Sequence, residues 1–221
     1  ASITVNTTTN ALQLADYPPA PNWPGFQSDF RFVKGTAVYT GDFSPPNGPL
    51  TTTGGSYPST TNVNTSITAG HTSLLINGTE AGIIDKSQSV KTITLNGDVK
   101  SSTTQSKYLS SSMYFDGTGD YVNIENILAG WTSAFTIEAW VYHTSFGAYS
   151  NPIFTSGNYL SVGADFFEFG ANSTGYYQVF WGGGAPLSVA SVAVSTNTWT
   201  HMALVRETDN SCTIYMDGIS R

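Results

Sequence analysis

The sequence predicts an all-β antiparallel sandwich, and three observations predict it. Phe135-Thr136-Ile137-Glu138-Ala139-Trp140-Val141-Tyr142 alternates so that Phe135, Ile137, Ala139 and Val141 share one face, the period of a half-buried strand. Two more runs, Trp199 to Arg206 and Cys212 to Met216, read the same way, and the second ends in the turn pair Asp217-Gly218. No segment combines a helical period with caps. The composition agrees. Charged residues are 10%, far below the roughly 25% of an average soluble domain. Aromatic residues are 13%, which excludes a disordered chain and suits a sandwich coated with Thr, Ser and Asn.

The connections follow from turn chemistry. Glu207-Thr208-Asp209-Asn210-Ser211 joins the last two strands as a hairpin loop. From Ser44 to Thr79 there is no Asp, Glu, Lys or Arg. Ser44-Pro45-Pro46-Asn47-Gly48-Pro49-Leu50 and the Thr/Gly/Asn tract behind it have a linker composition, with prolines that favour extension. A loop laid over the sandwich is the alternative. The lone Cys212 excludes an intrachain disulfide and reads as a buried thiol.

The net charge of −7 and eight scattered Lys and Arg exclude the basic patch that a nucleic-acid partner requires. No apolar run approaches the ~20 residues that cross a membrane as a helix, so membrane insertion is not expected.

Past His71 the motifs resemble the LamG-like branch of the concanavalin A-like lectin/glucanase jelly rolls. The resemblance rests on Thr72 to Gly78, Ile83 to Ser87, Ile93 to Asp98, Ser112-Met113-Tyr114-Phe115-Asp116-Gly117-Thr118-Gly119-Asp120-Tyr121-Val122, Phe135 to Tyr142, Trp199 to Arg206 and Tyr215-Met216-Asp217-Gly218, in that order. It implies an antiparallel jelly-roll β-sandwich. The family's closing strands are expected after Asp217-Gly218, yet segments similar to them stand at the other end, in Ala11 to Asp16 and Trp23 to Tyr39. The motif order is therefore circularly permuted. The expected organisation is closing strands over residues 1–43, a linker over 44–72 and the main part of a jelly roll over 73–221.

An unfinished sheet leaves an open core and a free edge. Three arrangements close it: a tandem array with neighbouring copies head to tail, donation of residues 1–43 to a neighbour, or closure in cis. The first two make Phe26, Phe30, Phe32 and Val33 an inter-unit closing strand and predict a filament.

Candidate sites come from the same comparison. Many LamG-like domains hold Ca²⁺ at the rim, and the resemblance offers Asp85, Asp116 and Asp120. Glycan binding is implied at the aromatic segment Tyr176, Tyr177 and Trp181, with a cell-surface glycan as partner. No catalytic residue emerges. Glucanases of this fold carry a Glu-x-Asp-x-x-Glu cluster, and the nearest run, Asp165-Phe166-Phe167-Glu168, sends its carboxylates to opposite faces of a strand. His71, His143 and His201 lack metal-ligand spacing. The expected function is a non-enzymatic structural or adhesive module of an extracellular or virion-surface fibre, with a Ca²⁺-assisted lectin as alternative and a glycoside hydrolase behind both.

Overall fold

The structure, a computed structural model, describes residues 11–16, 23–53, 67–125, 127, 133–156, 166–181 and 185–221. Its strands are β1 (Leu12–Leu14), β2 (Pro24–Lys34), β3 (Thr72–Thr79), β4 (Gly82–Asp85), β5 (Ile93–Asn96), β6 (Lys100–Ser102), β7 (Ser112–Asp116) and β8 (Tyr121–Ile124). They continue with β9 (Phe135–His143), β10 (Asn151–Ser156), β11 (Phe167–Ala171), β12 (Tyr176–Trp181), β13 (Ser188–Ala193), β14 (Thr200–Arg206), β15 (Cys212–Met216) and β16 (Ile219–Ser220). No helix occurs among the described residues. One sheet runs β13-β12-β11-β10-β1-β8-β5, and the other β16-β15-β14-β9-β2-β3-β4, with β7 and β6 continuing from the first half of β2. The pairing is antiparallel throughout. The fold class read from the sequence is the fold observed.

Alternation sends one face of each sheet into a shared core. Ile137, Ala139 and Val141 of β9, Met202 and Leu204 of β14, and Phe167 and Phe169 of β11 meet there. Phe30 and Phe32 sit at its centre, fully buried. Their rings lie 6.3 Å from those of Phe154 and Phe135, both edge-on. Burying one such ring stabilises the fold by about 1.5–3 kcal/mol.

Of the three arrangements that close the sheet, the structure shows the one in cis. β2 pairs with β9 of its own chain, Phe32 opposite Ile137 and Val33 opposite Thr136, and with β3 on its other side, Phe30 opposite Ile76. β1 likewise lies between β10 and β8. Both early strands thus lie inside the sheets of their own chain.

The described part of the stretch after β2 follows the alternative to a linker, a loop laid over the sandwich. The described residues 35–53 and 67–71 form a strap over the outer face of the β2–β9–β14 sheet. Tyr39 and Phe43 stack at 3.5 Å and join Val33, Val38, Ile67, Ala203, Val205 and Tyr215 in a second apolar cluster. The backbone of the strap supplies the polar contacts. Leu50 N donates to Asp29 Oδ1 at 3.1 Å, and Arg31 Nη1 donates to Thr51 O at 2.9 Å. Phe43 N donates to Gly218 O at 2.8 Å. Gly218 has φ +78°, and a Cβ there would stand 1.8 Å from Phe43 O. Composition marked this stretch as unable to form a core of its own; it did not reveal that a few apolar side chains and a set of carbonyls suffice to cap an existing sheet.

β2 also carries a bulge. Ser28 faces Trp140 and Arg31 faces Glu138, so Asp29 and Phe30 together oppose Ala139. Asp29 takes φ 53°, where Asp is tolerated better than most residues. The extra residue flips the alternation. Phe30 and Phe32 point into the core, while Phe26 shares the outer face with Tyr142.

Candidate functional site

The flipped end of β2 builds an open groove of about 540 Å³ on the outer face of its sheet. Phe26 forms the floor, 5% exposed. Its ring lies 4.9 Å from Tyr114 of β7 and 5.8 Å from Tyr142 of β9, the strand partners that the register places beside it. Both tyrosines are half-buried. Trp199 extends the aromatic surface, 5.5 Å from Tyr142. Lys100 Nζ sits 5.5 Å from the Tyr114 ring centroid. Ser102, Thr104, Gln105, Thr144 and Asn197 line the rest, and no carboxylate does. An open groove of mutually tilted aromatic rings, rimmed by hydroxyls and amides, can pack against a sugar ring and hydrogen-bond its hydroxyls.

The aromatic residues singled out from the sequence do not make this groove. Tyr176 and Tyr177 are adjacent on β12 and therefore face opposite ways. Tyr176 is 39% exposed. Tyr177 is buried in the core, its ring 5.3 Å from Phe169 and its hydroxyl 2.8 Å from His143 Nε2, so it cannot meet a ligand. Trp181 ends β12 opposite Phe167, but its side chain lies outside the described residues. The signal for the real groove was present in Tyr114 and Tyr142, the outward aromatics of strands whose neighbours point in. Regular alternation along β2 would instead put Phe26 on the core face with Phe30 and Phe32.

The acidic candidates also regroup. Carboxylate oxygens of Asp98, Asp116 and Asp120 lie within 4.8 Å of one another. Asp98 follows β5, and Asp116 and Asp120 bracket the Gly117-Thr118-Gly119 turn between β7 and β8. Asp120 is buried and organises the site: its Oδ1 accepts from Asp98 N and its Oδ2 from Asp116 N, each at 2.8 Å. Burial, with Asp116 adding to it, raises the Asp120 carboxyl above its ordinary range. Asp85 is corrected out of this group. Its oxygens accept from Leu75 N, Ser87 N, the Ser87 hydroxyl and Lys91 N, which makes it the organiser of the turn after β4. Three carboxylates at this spacing match the hard oxygen donors and the charge that Ca²⁺ requires.

A third constellation is closed to solvent. Beneath the strap, Glu138 receives Arg31 Nε at 2.9 Å, Tyr39 Oη at 2.7 Å and stands 3.1 Å from His201 Nε2. Burial raises the Glu138 carboxyl, but Arg31 and then His201 outweigh it and leave it at about 2. His201 is fully buried, with its Nε2 turned to Glu138. Glu168 is separate, on the other sheet: buried, bonded by the Ser150 hydroxyl, and pushed up to about 7 by burial. Asp165 lies outside the described residues.

Comparison with known proteins agrees with this architecture. No curated protein and no solved structure matches the chain. The laminin-G-type family model described as the concanavalin A-like lectin/glucanases superfamily matches residues 116–221, the stretch from the end of β7 to β16 that contains Asp120, Tyr142 and Trp199. Over residues 116–221 the chain is thus similar to the concanavalin A-like lectin/glucanase superfamily, in a sandwich whose sheets also take in the early strands.

Proposed function

We propose that the chain is a non-catalytic, carbohydrate-binding adhesive module that works outside the cell, with the Phe26–Tyr114–Tyr142 groove as its sugar platform. One observation carries this reading: the β2 bulge turns an otherwise core-facing phenylalanine outward, to underlie two half-buried tyrosines in an open groove rimmed by hydroxyls and amides. The match of residues 116–221 to a lectin/glucanase superfamily model supports it. Ca²⁺, held by Asp98, Asp116 and Asp120, neutralises three clustered carboxylates and fixes the β7–β8 turn against Asp98.

The chemistry of the groove argues for holding rather than cleaving. Glycoside hydrolysis needs two carboxyl groups about 5–9.5 Å apart across the scissile bond, and the groove lining contributes none. Glu138, the carboxylate nearest in sequence to Tyr142 on β9, is sealed under the strap. The filament reading rested on β2 needing a neighbour's sheet; closure in cis takes that argument away.

A broad glycan microarray tests the proposal. The chain is expected to bind a defined set of saccharides, and Tyr142→Ala to lose them. Binding to no saccharide, or undiminished binding by Tyr142→Ala, overturns it.

A further inference from the structure

At the other end of β2 from the groove, a separate pocket of about 340 Å³ is lined by Lys34, Thr72, Ser73, Gln88, Ser89 and Lys91 together with the Ala69-Gly70 backbone. The chain has eight Lys and Arg against fifteen Asp and Glu, yet two lysines converge here and no carboxylate lines the space. Both are delivered by fixed backbone. Lys34 N donates to His71 O at 2.9 Å, and the Lys34 ammonium sits 5.6 Å from the Phe32 ring centroid. Lys91 N donates to Asp85 Oδ2 at 2.7 Å. Asp85 therefore spends its oxygens on the turn that positions Lys91. Burial, and after it the like charge of Lys91, pushes the Lys34 ammonium down to about 8. Two like charges held together, with the Ser73 hydroxyl and the Gln88 amide on the same lining, form a site complementary to an anion, since a bound anion relieves their repulsion and accepts from both.

We propose that this pocket binds a tetrahedral oxyanion, sulfate or phosphate, with Lys34 and Lys91 as its two ammonium donors and the Ser73 hydroxyl and Gln88 amide beside them. The same chemistry is offered by a free ion and by a sulfate ester on a sugar. The site is distinct from the aromatic groove and stands whether or not that groove binds saccharide.

The test follows lysine side-chain resonances of the full chain by NMR during titration with sodium sulfate, sodium phosphate and glucose 6-sulfate, against sodium chloride and glucose at matched ionic strength. Saturable shifts of Lys34 and Lys91 with the oxyanions, absent with chloride and glucose, are expected. So is an upward move of the Lys34 titration midpoint on binding. Lys91→Gln, at a partly exposed position, is expected to weaken binding by about tenfold, and Lys34→Gln to do the same. Tighter binding of glucose 6-sulfate than of inorganic sulfate supports the pocket and assigns it to an esterified glycan; equal binding supports it as a free-ion site. Shifts that do not saturate, that chloride reproduces, or that persist in both variants overturn the proposal.

Discussion

Arg31 and Glu138 face each other twice, as register partners in the β2–β9 ladder and as an ion pair with Nη2 2.5 Å from Oε1, both side chains essentially buried. The pair ties an early strand to a late one beneath the strap. Arg31→Met strands a carboxylate in an apolar setting, and the expected cost is about 3–5 kcal/mol, read from denaturant unfolding. The pair also shapes the acid limb. Because Arg31 and His201 hold the folded Glu138 at about 2, its contribution is present above its ordinary range near 4.5 and is lost as pH falls toward 2. Arg31→Met is expected to flatten that limb; an unchanged acid profile would show that the pair does not set it.

Closure in cis has a covalent test. Val33 and Thr136 are direct partners across β2 and β9, and such partners have Cα separations of about 4.5–5.5 Å, within the range a disulfide spans. Val33→Cys with Thr136→Cys, in a Cys212→Ser background, is expected to oxidise to an intrachain crosslink at monomer mass. A ladder of disulfide-linked multimers would mean that β2 is donated between copies.

Two buried groups pull the pH dependence of stability in opposite directions. Burial lowers His143 to about 3, so its contribution is present above its ordinary value near 6.5 and is lost as pH falls toward 3. Burial raises Glu168 to about 7, so its contribution is present below about 4.5 and is lost as pH rises through 7. His143→Gln is expected to reduce the loss of Tm on acidification, and Glu168→Gln to reduce the loss from about pH 4.5 to 7. Parallel profiles of either variant and the parent contradict the assignment.

Ca²⁺ is expected to raise Tm, reversibly with a chelator, by an amount that grows as the logarithm of its concentration above Kd. Asp116→Asn removes the effect. Asp120→Asn lowers Tm even without Ca²⁺, because its two oxygens accept two backbone N–H groups and an amide offers only one acceptor oxygen. A rise of equal size in Asp116→Asn would place the ion elsewhere.

The strands of this fold were legible because their alternation is local: the inward faces of Phe135 to Val141 and of Met202 to Leu204 are set by neighbours two residues away. A strand within Trp23 to Tyr39 was legible as well, and Pro24–Lys34 forms one. The strand's partner was not, because cis and trans closure bury the same Phe30 and Phe32. The groove was not legible, for a more specific reason. A single bulge at Asp29 moves Phe26 to the opposite face, and nothing in the residues Gln27-Ser28-Asp29 separates a bulged strand from a regular one. Asp98 joined the acidic turn through a hairpin, at a distance that no sequence spacing records, while Asp85, equally acidic, was taken by the backbone of its own turn.

The sugar platform is tested most directly by titrating the saccharide that binds best on the array and following the fluorescence of Trp199, with Trp199→Phe identifying its signal. The account predicts a saturable change, and affinity reduced by about tenfold or more in Tyr114→Ala and in Tyr142→Ala, about 1.4 kcal/mol each, with the fold intact. Undiminished affinity in both variants would contradict it.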